Sequence, residues 1–176
     1  MTSQLHQRVR KTIDRYGLCP PGSHVLIAIS GGSDSVALLF LLRDLAENGK
    51  FTLAGLAHLN HGLRPTAERD ERFCRDLADR LHLRIAVKKE DVKGYARGRN
   101  LSVEDAARRI RYDFLEQVAA AFGADRIAVG HTQDDQAETL LLKLIRGAGL
   151  TGLAGIRPRR GRIIRPLLDA RRCDLR

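Results

Sequence analysis

The feature that most constrains this chain is a series of short, almost unbroken apolar runs separated by longer segments of helical periodicity. His24–Ser30 (HVLIAIS), Phe51–Leu59 (FTLAGLAHL), Leu83–Val87 and Arg126–Gly130 carry apolar side chains on successive residues, not on alternate ones. Strands read this way when both faces of their sheet are covered, as in parallel sheets flanked by helices. Asp34–Glu47, Thr66–Leu81, Ser102–Phe122 and Thr132–Arg146 have helical patterns, Ser3–Tyr16 adds a helix before the sheet, and Arg162–Pro166 supplies a short last strand. The alternation predicts an α/β fold: a doubly wound, mostly parallel five-stranded sheet with helices on both faces. Ser102–Phe122 is the best-defined helix, opened by a capping box of Ser102 with Asp105. Leu140–Leu142, Leu144 and Ile145 read as core.

The 176 residues, 43% of them apolar, are enough for one domain with a substantial core. No apolar run approaches the roughly 20 residues of a membrane span, and the polar start of the chain is unlike a signal peptide. Three scattered cysteines without a CxxC pair argue against a disulfide scaffold or a structural zinc site, and for a reduced, cytoplasmic protein. The net charge is +10, and arginine supplies 25 of the 31 cations. Five arginines crowd into Arg157–Arg165. Guanidinium groups pair with phosphate in a planar fork, so a nucleic-acid partner is one reading; solvated surface charge is the other.

The strongest chemical signal is Ser30–Ser35 (SGGSDS), at the end of the first strand and the start of a helix. Gly31 and Gly32 let the backbone turn tightly and bring its amides close to a ligand. Amides leading into a helix N-terminus form an anion cradle. Ser30, Ser33 and Ser35 add hydroxyls, and Asp34 is placed to hold Mg²⁺ against phosphates. The sequence is neither a Walker A loop nor a GxGxxG turn.

Further groups fall at the carboxyl ends of later strands, where open α/β sheets bind ligands. His58, Asn60 and His61 end the second strand, with Arg64 just beyond. His131 precedes a helix whose first turns carry Asp134, Asp135 and Glu138. Asp135 and Glu138 share a face, as do Asp134 and Glu138. Acids there also suit the helix dipole, but three beside a phosphate loop exceed what the dipole requires. Arg108 and Arg111 either form a surface ladder with Glu104 or neutralise phosphate charge.

SGGSDS resembles the PP-loop of the N-type ATP pyrophosphatases, which cleave ATP between its α and β phosphates and adenylate a substrate oxygen. HLNHGLR (His58–Arg64), Asn100 with Glu104 and Ala107–Tyr112, GHTQDDQAET (Gly130–Thr139), RGAG (Arg146–Gly149) and RPLL (Arg165–Leu168) resemble the tRNA(Ile)-lysidine synthetases, in order, from Val25 to Leu168. The resemblance implies ligation of L-lysine to C2 of the wobble cytidine of tRNA(Ile) with a CAU anticodon, using ATP and Mg²⁺ and passing through an adenylated cytidine. It implies catalytic roles for Asp34, Arg108, Arg111, His131, Asp135 and Glu138. Within that set, Asp135 and Glu138 would bind lysine, with His131 nearer the nucleotide or base. The loop containing His58, Asn60, His61 and Arg64 would position substrate, together with Asp134. The chain is expected to be one catalytic domain over residues 1–176, without the downstream tRNA-holding domains common in that family. Alternatives are a tRNA 2-thiolation enzyme of the same superfamily and a non-catalytic nucleotide-binding regulatory module. The first commonly carries CxxC pairs, and the second needs no acid cluster.

Overall fold

A strand buried on both faces must send alternate side chains into two separate cores, and β1 (Ser23–Ala28) does so. Val25 and Ile27 pack into one cluster with Leu38, Leu42 and Leu56, while Leu26 joins another with Phe114 and Ile127. The computed structural model describes residues 4–47, 50–63, 65–147 and 155–175. Elements run in the order α1 (Gln4–Tyr16), β1, α2 (Ser33–Ala46), β2 (Phe51–Asn60), α3 (Ala67–Arg80), β3 (Ile85–Lys89), α4 (Val92–Gly98), α5 (Val103–Phe122), β4 (Arg126–Ala128), α6 (Gln133–Ile145), β5 (Arg159–Arg160), β6 (Ile163–Ile164) and a short 3₁₀ turn at Arg172–Leu175. Among the described residues no helix is long and apolar enough to cross a membrane.

The sheet order is β3-β2-β1-β4-β6-β5, with all pairs parallel except β5 against β6. α1 and α2 pack on one face and α5 on the other, the doubly wound arrangement expected. The sheet has six strands where five were expected. The addition, β5, is an exposed pair of arginines folded back through Gly161 (φ +60°), with no apolar pattern to announce it. The last parallel strand shrinks to Ile163–Ile164.

β2 carries a bulge. Its register against β1 passes from Leu53 to Gly55, which leaves Ala54 unpaired there. Gly55 adopts φ +140°, and a Cβ on it would lie 2.7 Å from the Arg84 carbonyl oxygen and 2.9 Å from the Phe122 ring. Only glycine fits at this position. α4 was not expected, because Gly94 and Gly98 interrupt its pattern. It is capped by Asp91, whose carboxylate accepts from the Gly94 amide at 3.0 Å, and it docks on α5 through Val92, Ala96, Ala106 and Ile110. Ser102 caps α5 as expected, but the Asp105 carboxylate accepts from the Ser102 hydroxyl at 2.7 Å.

One expectation fails in α6. Leu140–Leu142, Leu144 and Ile145 are all exposed, Ile145 by 81%, and no residue of α6 is buried. An apolar run predicts burial only when a helix lies against the sheet, and among the described residues none of these side chains joins a core cluster.

Candidate active site at the switch point of the sheet

The strand order reverses between β1 and β4: β2 and β3 are added on one side of β1, β4 and β6 on the other. Loops leaving two such strands diverge, and the crevice between them is where open α/β sheets bind ligands. Here the loops are Ser30–Gly32 and Gly130–Thr132, and they border a cleft of about 520 Å³. The fit between them is close. A Cβ on Gly130 would lie 3.3 Å from the Asp34 carbonyl group and the Ser35 amide nitrogen, so the lack of a side chain at residue 130 eases the approach of the loop after β4 to the first turn of α2.

The first loop is held by its own serines. The Ser35 hydroxyl accepts from the Ser30 amide at 3.1 Å and donates to the Gly32 carbonyl at 2.9 Å. Ser35 thus shapes the cradle and is buried within it, while Ser33 donates to Asp34 at 3.0 Å. Gly31 takes φ +83° and Gly32 caps α2 in an extended conformation. The amides of Ser33 and Asp34, in the first turn of α2, have no intrahelical acceptor and are available to an anion. Asp34 follows directly. One carboxylate together with phosphate oxygens is a donor set suited to Mg²⁺. Among the described residues no cluster of three or more His, Cys, Asp or Glu side chains could hold a metal without such help.

At the start of α6, Thr132 is fully buried and caps the helix in a complete capping box with Asp135. Asp135 Oδ2 accepts from the Thr132 amide at 2.6 Å and hydroxyl at 2.9 Å. Its Oδ1 faces Arg172, which the sequence reading missed. The Arg172 guanidinium reaches Asp135 at 2.9 Å, Glu138 at 3.2 Å and Asp34 at 3.3 Å, while the Arg172 amide donates to Asp134 at 2.7 Å. A single cation therefore bridges the carboxylate of the phosphate loop and the acids of α6.

His131 lines the same cleft as the phosphate loop. Arg165 Nε donates to its Nδ1 at 3.0 Å. Burial pushes the imidazole pKa down to about 4; Arg165, Arg111 and Arg108 act in the same direction, and Asp135 opposes them. His131 is neutral at pH 7.

The profile of the PP-loop domain family matches residues 1–176. The chain belongs to the PP-loop family. Its curated relatives include proteins named tRNA(Ile)-lysidine synthase from Dehalococcoides mccartyi, 44% identical, and Symbiobacterium thermophilum, 46% identical. Each match covers 97% of this chain but only 38% and 36% of the relative, so the chain spans well under half their length. Solved structures with the same fold include the U34-tRNA thiolase NcsA from Methanococcus maripaludis (TM-score 0.76, 21% identity, 98% of this chain and 60% of that one). A second is the NH3-dependent NAD synthetase from Campylobacter jejuni (TM-score 0.59, 16% identity, 98% and 71%).

The PP-loop cleft gathers most of the residues expected from sequence, in several cases differently employed. His58 is buried; its Nδ1 donates to the Ile29 carbonyl at 2.9 Å, and its buried Nε2 has no hydrogen-bond partner among the described residues. Asn60 is a scaffold: its amide donates to Glu71 at 3.0 Å and its carbonyl accepts from Gly62 at 2.9 Å. His61 sits 3.3 Å from Arg111. Neither Arg108 nor Arg111 pairs with Glu104; Arg108 lies over the Tyr112 ring at 5.3 Å. The surface-ladder reading therefore loses its partner. Arg64 lies outside the described residues. Glu71, Arg165 and Arg172 escaped the sequence reading, since their partners are distant in the chain; of these, only Arg165 lay in a recognised motif.

Proposed function

We propose that this PP-loop chain is a catalytic domain for cytoplasmic lysidine synthesis: ATP-dependent joining of L-lysine to C2 of the wobble cytidine of tRNA(Ile) with a CAU anticodon. One observation carries the reading. The phosphate cradle is tied to the acidic start of α6 by one guanidinium, that of Arg172, which reaches Asp34, Asp135 and Glu138. The names of the curated relatives, tRNA(Ile)-lysidine synthase, point to tRNA(Ile) and to lysidine as the product.

In the first step the cytosine C2 oxygen attacks the α-phosphate, forming the O–P bond as pyrophosphate leaves. Loop amides at the start of α2 bind phosphate oxygens, and Arg108 and Arg111 offset the charge on the departing group. Asp34, together with the phosphates, would hold Mg²⁺, which would neutralise charge on them. In the second step the lysine ε-amine attacks C2 and the C2–O bond breaks, releasing AMP. The amine must first lose a proton. Both oxygens of Asp135 are occupied by Thr132 and Arg172, whereas Glu138 lends one oxygen to Arg172 and keeps the other open. Glu138 is thus the better proton acceptor, with Asp135 orienting it through Arg172.

The 2-thiolation alternative finds less support. Cys19 and Cys74 are buried in the core, where burial pushes both thiols up to about 12, and Cys173 is on the surface. The test is a reaction of the chain with ATP, Mg²⁺, tRNA(Ile), lysine and, in a parallel arm, sulfide as a sulfur source, followed by nucleoside mass spectrometry. Lysidine supports the proposal; thiolated nucleoside, or ATP binding without turnover, rejects it.

A further inference from the structure

Arg165 is 5% exposed, and no carboxylate pairs with it among the described residues. A buried charge without a counter-ion is costly, so its partners should reveal what it does. One is structural: Nη1 donates to the Arg157 carbonyl at 2.7 Å, and the Arg165 amide donates to Pro158 at 2.9 Å. These bonds fold the β5–β6 hairpin back on itself.

The other partner belongs to the active site. Nε of Arg165 donates to Nδ1 of His131. A guanidinium carries only donors, so Nδ1 must present its lone pair and the ring proton must sit on Nε2. We propose that Arg165 is a positioning residue that fixes His131 as the neutral Nε2–H tautomer, a hydrogen-bond donor for a phosphate oxygen of the bound nucleotide.

The placement of the ring supports this. Gly130 touches the backbone of Asp34 and Ser35, so His131 follows directly from a contact with the first turn of α2 and borders the same cleft as the phosphate loop. Arg165, Arg111 and Arg108 bring positive charge to the ring, and Asp135 is the opposing acid. A neutral ring holds its single Nε2 proton too tightly to release it at pH 7. His131 then stabilises charge instead of shuttling protons, and it leaves proton removal to Glu138. The phosphate target rests on the nucleotide-binding reading above; the tautomer does not.

The test is ¹⁵N spectroscopy of the histidine rings of the whole chain, with His131→Gln assigning the signal. The expected spectrum shows Nε2 protonated and Nδ1 bare from pH 8 down to pH 5.5. A ring protonated on Nδ1, or charged at pH 6.5, overturns the proposal. Arg165→Met should mix the tautomers and move the titration toward the ordinary value of about 6.5. Arg165→Lys, which keeps the charge with a single donor group, should restore the tautomer in part. If neither variant folds, the spectrum of the unaltered chain still decides. Addition of ATP should shift the His131 Nε2–H signal; ATP binding without that shift overturns the phosphate contact. Failure to bind ATP at all rejects the nucleotide reading and the phosphate target with it, while leaving the tautomer assignment to stand on its own spectrum.

Discussion

Replacing Asp135 and Glu138 separately by alanine should divide a folding role from a chemical one. Asp135 holds the buried Thr132 amide and hydroxyl at 2.6 and 2.9 Å. Asp135→Ala leaves both without their acceptor at a fully buried residue. A lost capping contact and a stranded buried donor together cost about 2 kcal/mol. For a domain of this size that lowers Tm by about 4–8 °C. Glu138 has a side chain 60% exposed, caps nothing, and among the described residues pairs with Arg172 alone. Glu138→Ala should move Tm by less than about 2 °C. Both variants should need much more lysine to release AMP, with the affinity for ATP little changed. Thermal unfolding by circular dichroism and lysine titration of AMP release measure the two effects. Equal Tm losses in the two variants would refute the capping argument. Unchanged lysine dependence in Glu138→Ala would refute its chemical role.

Three other outcomes follow from the geometry. Gly55→Ala should unfold the chain or lower Tm more than any surface change, because its Cβ meets backbone at 2.7 Å and the residue sits at φ +140°; a near-normal melting curve would contradict the bulge. His131 takes up a proton at about 6.5 when unfolded but at about 4 when folded, so the unfolded chain binds more protons between these values; stability should fall as pH drops through that window, and His131→Gln should flatten the fall. Binding of tRNA should weaken with salt at about −0.7 to −0.9 in log K per phosphate contacted, and a flat response would remove the argument from the arginines at 157–165.

The parts of the fold that were legible in the sequence are those in which local pattern and tertiary burial agree. β1 and β2 announce themselves because both faces are covered, and Ser102 announces the start of α5. The phosphate loop was legible because its glycines and serines act on their own neighbours, as the Ser35 bonds to Ser30 and Gly32 show. Legibility ends where a residue's partner is remote. Arg172 finds its acids 34 to 138 positions away, and Arg165 finds His131 34 positions away. α6 misled for a different reason. Its leucines have the composition of a core helix, but burial depends on where the helix lies, and periodicity carries no information on that.

The central claim is a two-step use of ATP in a single cleft, and it is tested most directly by separating the steps. The measurement is exchange of labelled pyrophosphate into ATP, with tRNA(Ile) present and lysine first omitted, then added, while AMP release is followed in parallel. The account predicts exchange that requires tRNA but not lysine, AMP release that begins only when lysine is supplied, and loss of both in Asp34→Ala. AMP release that proceeds at full rate without lysine, or exchange that ignores tRNA, would contradict it.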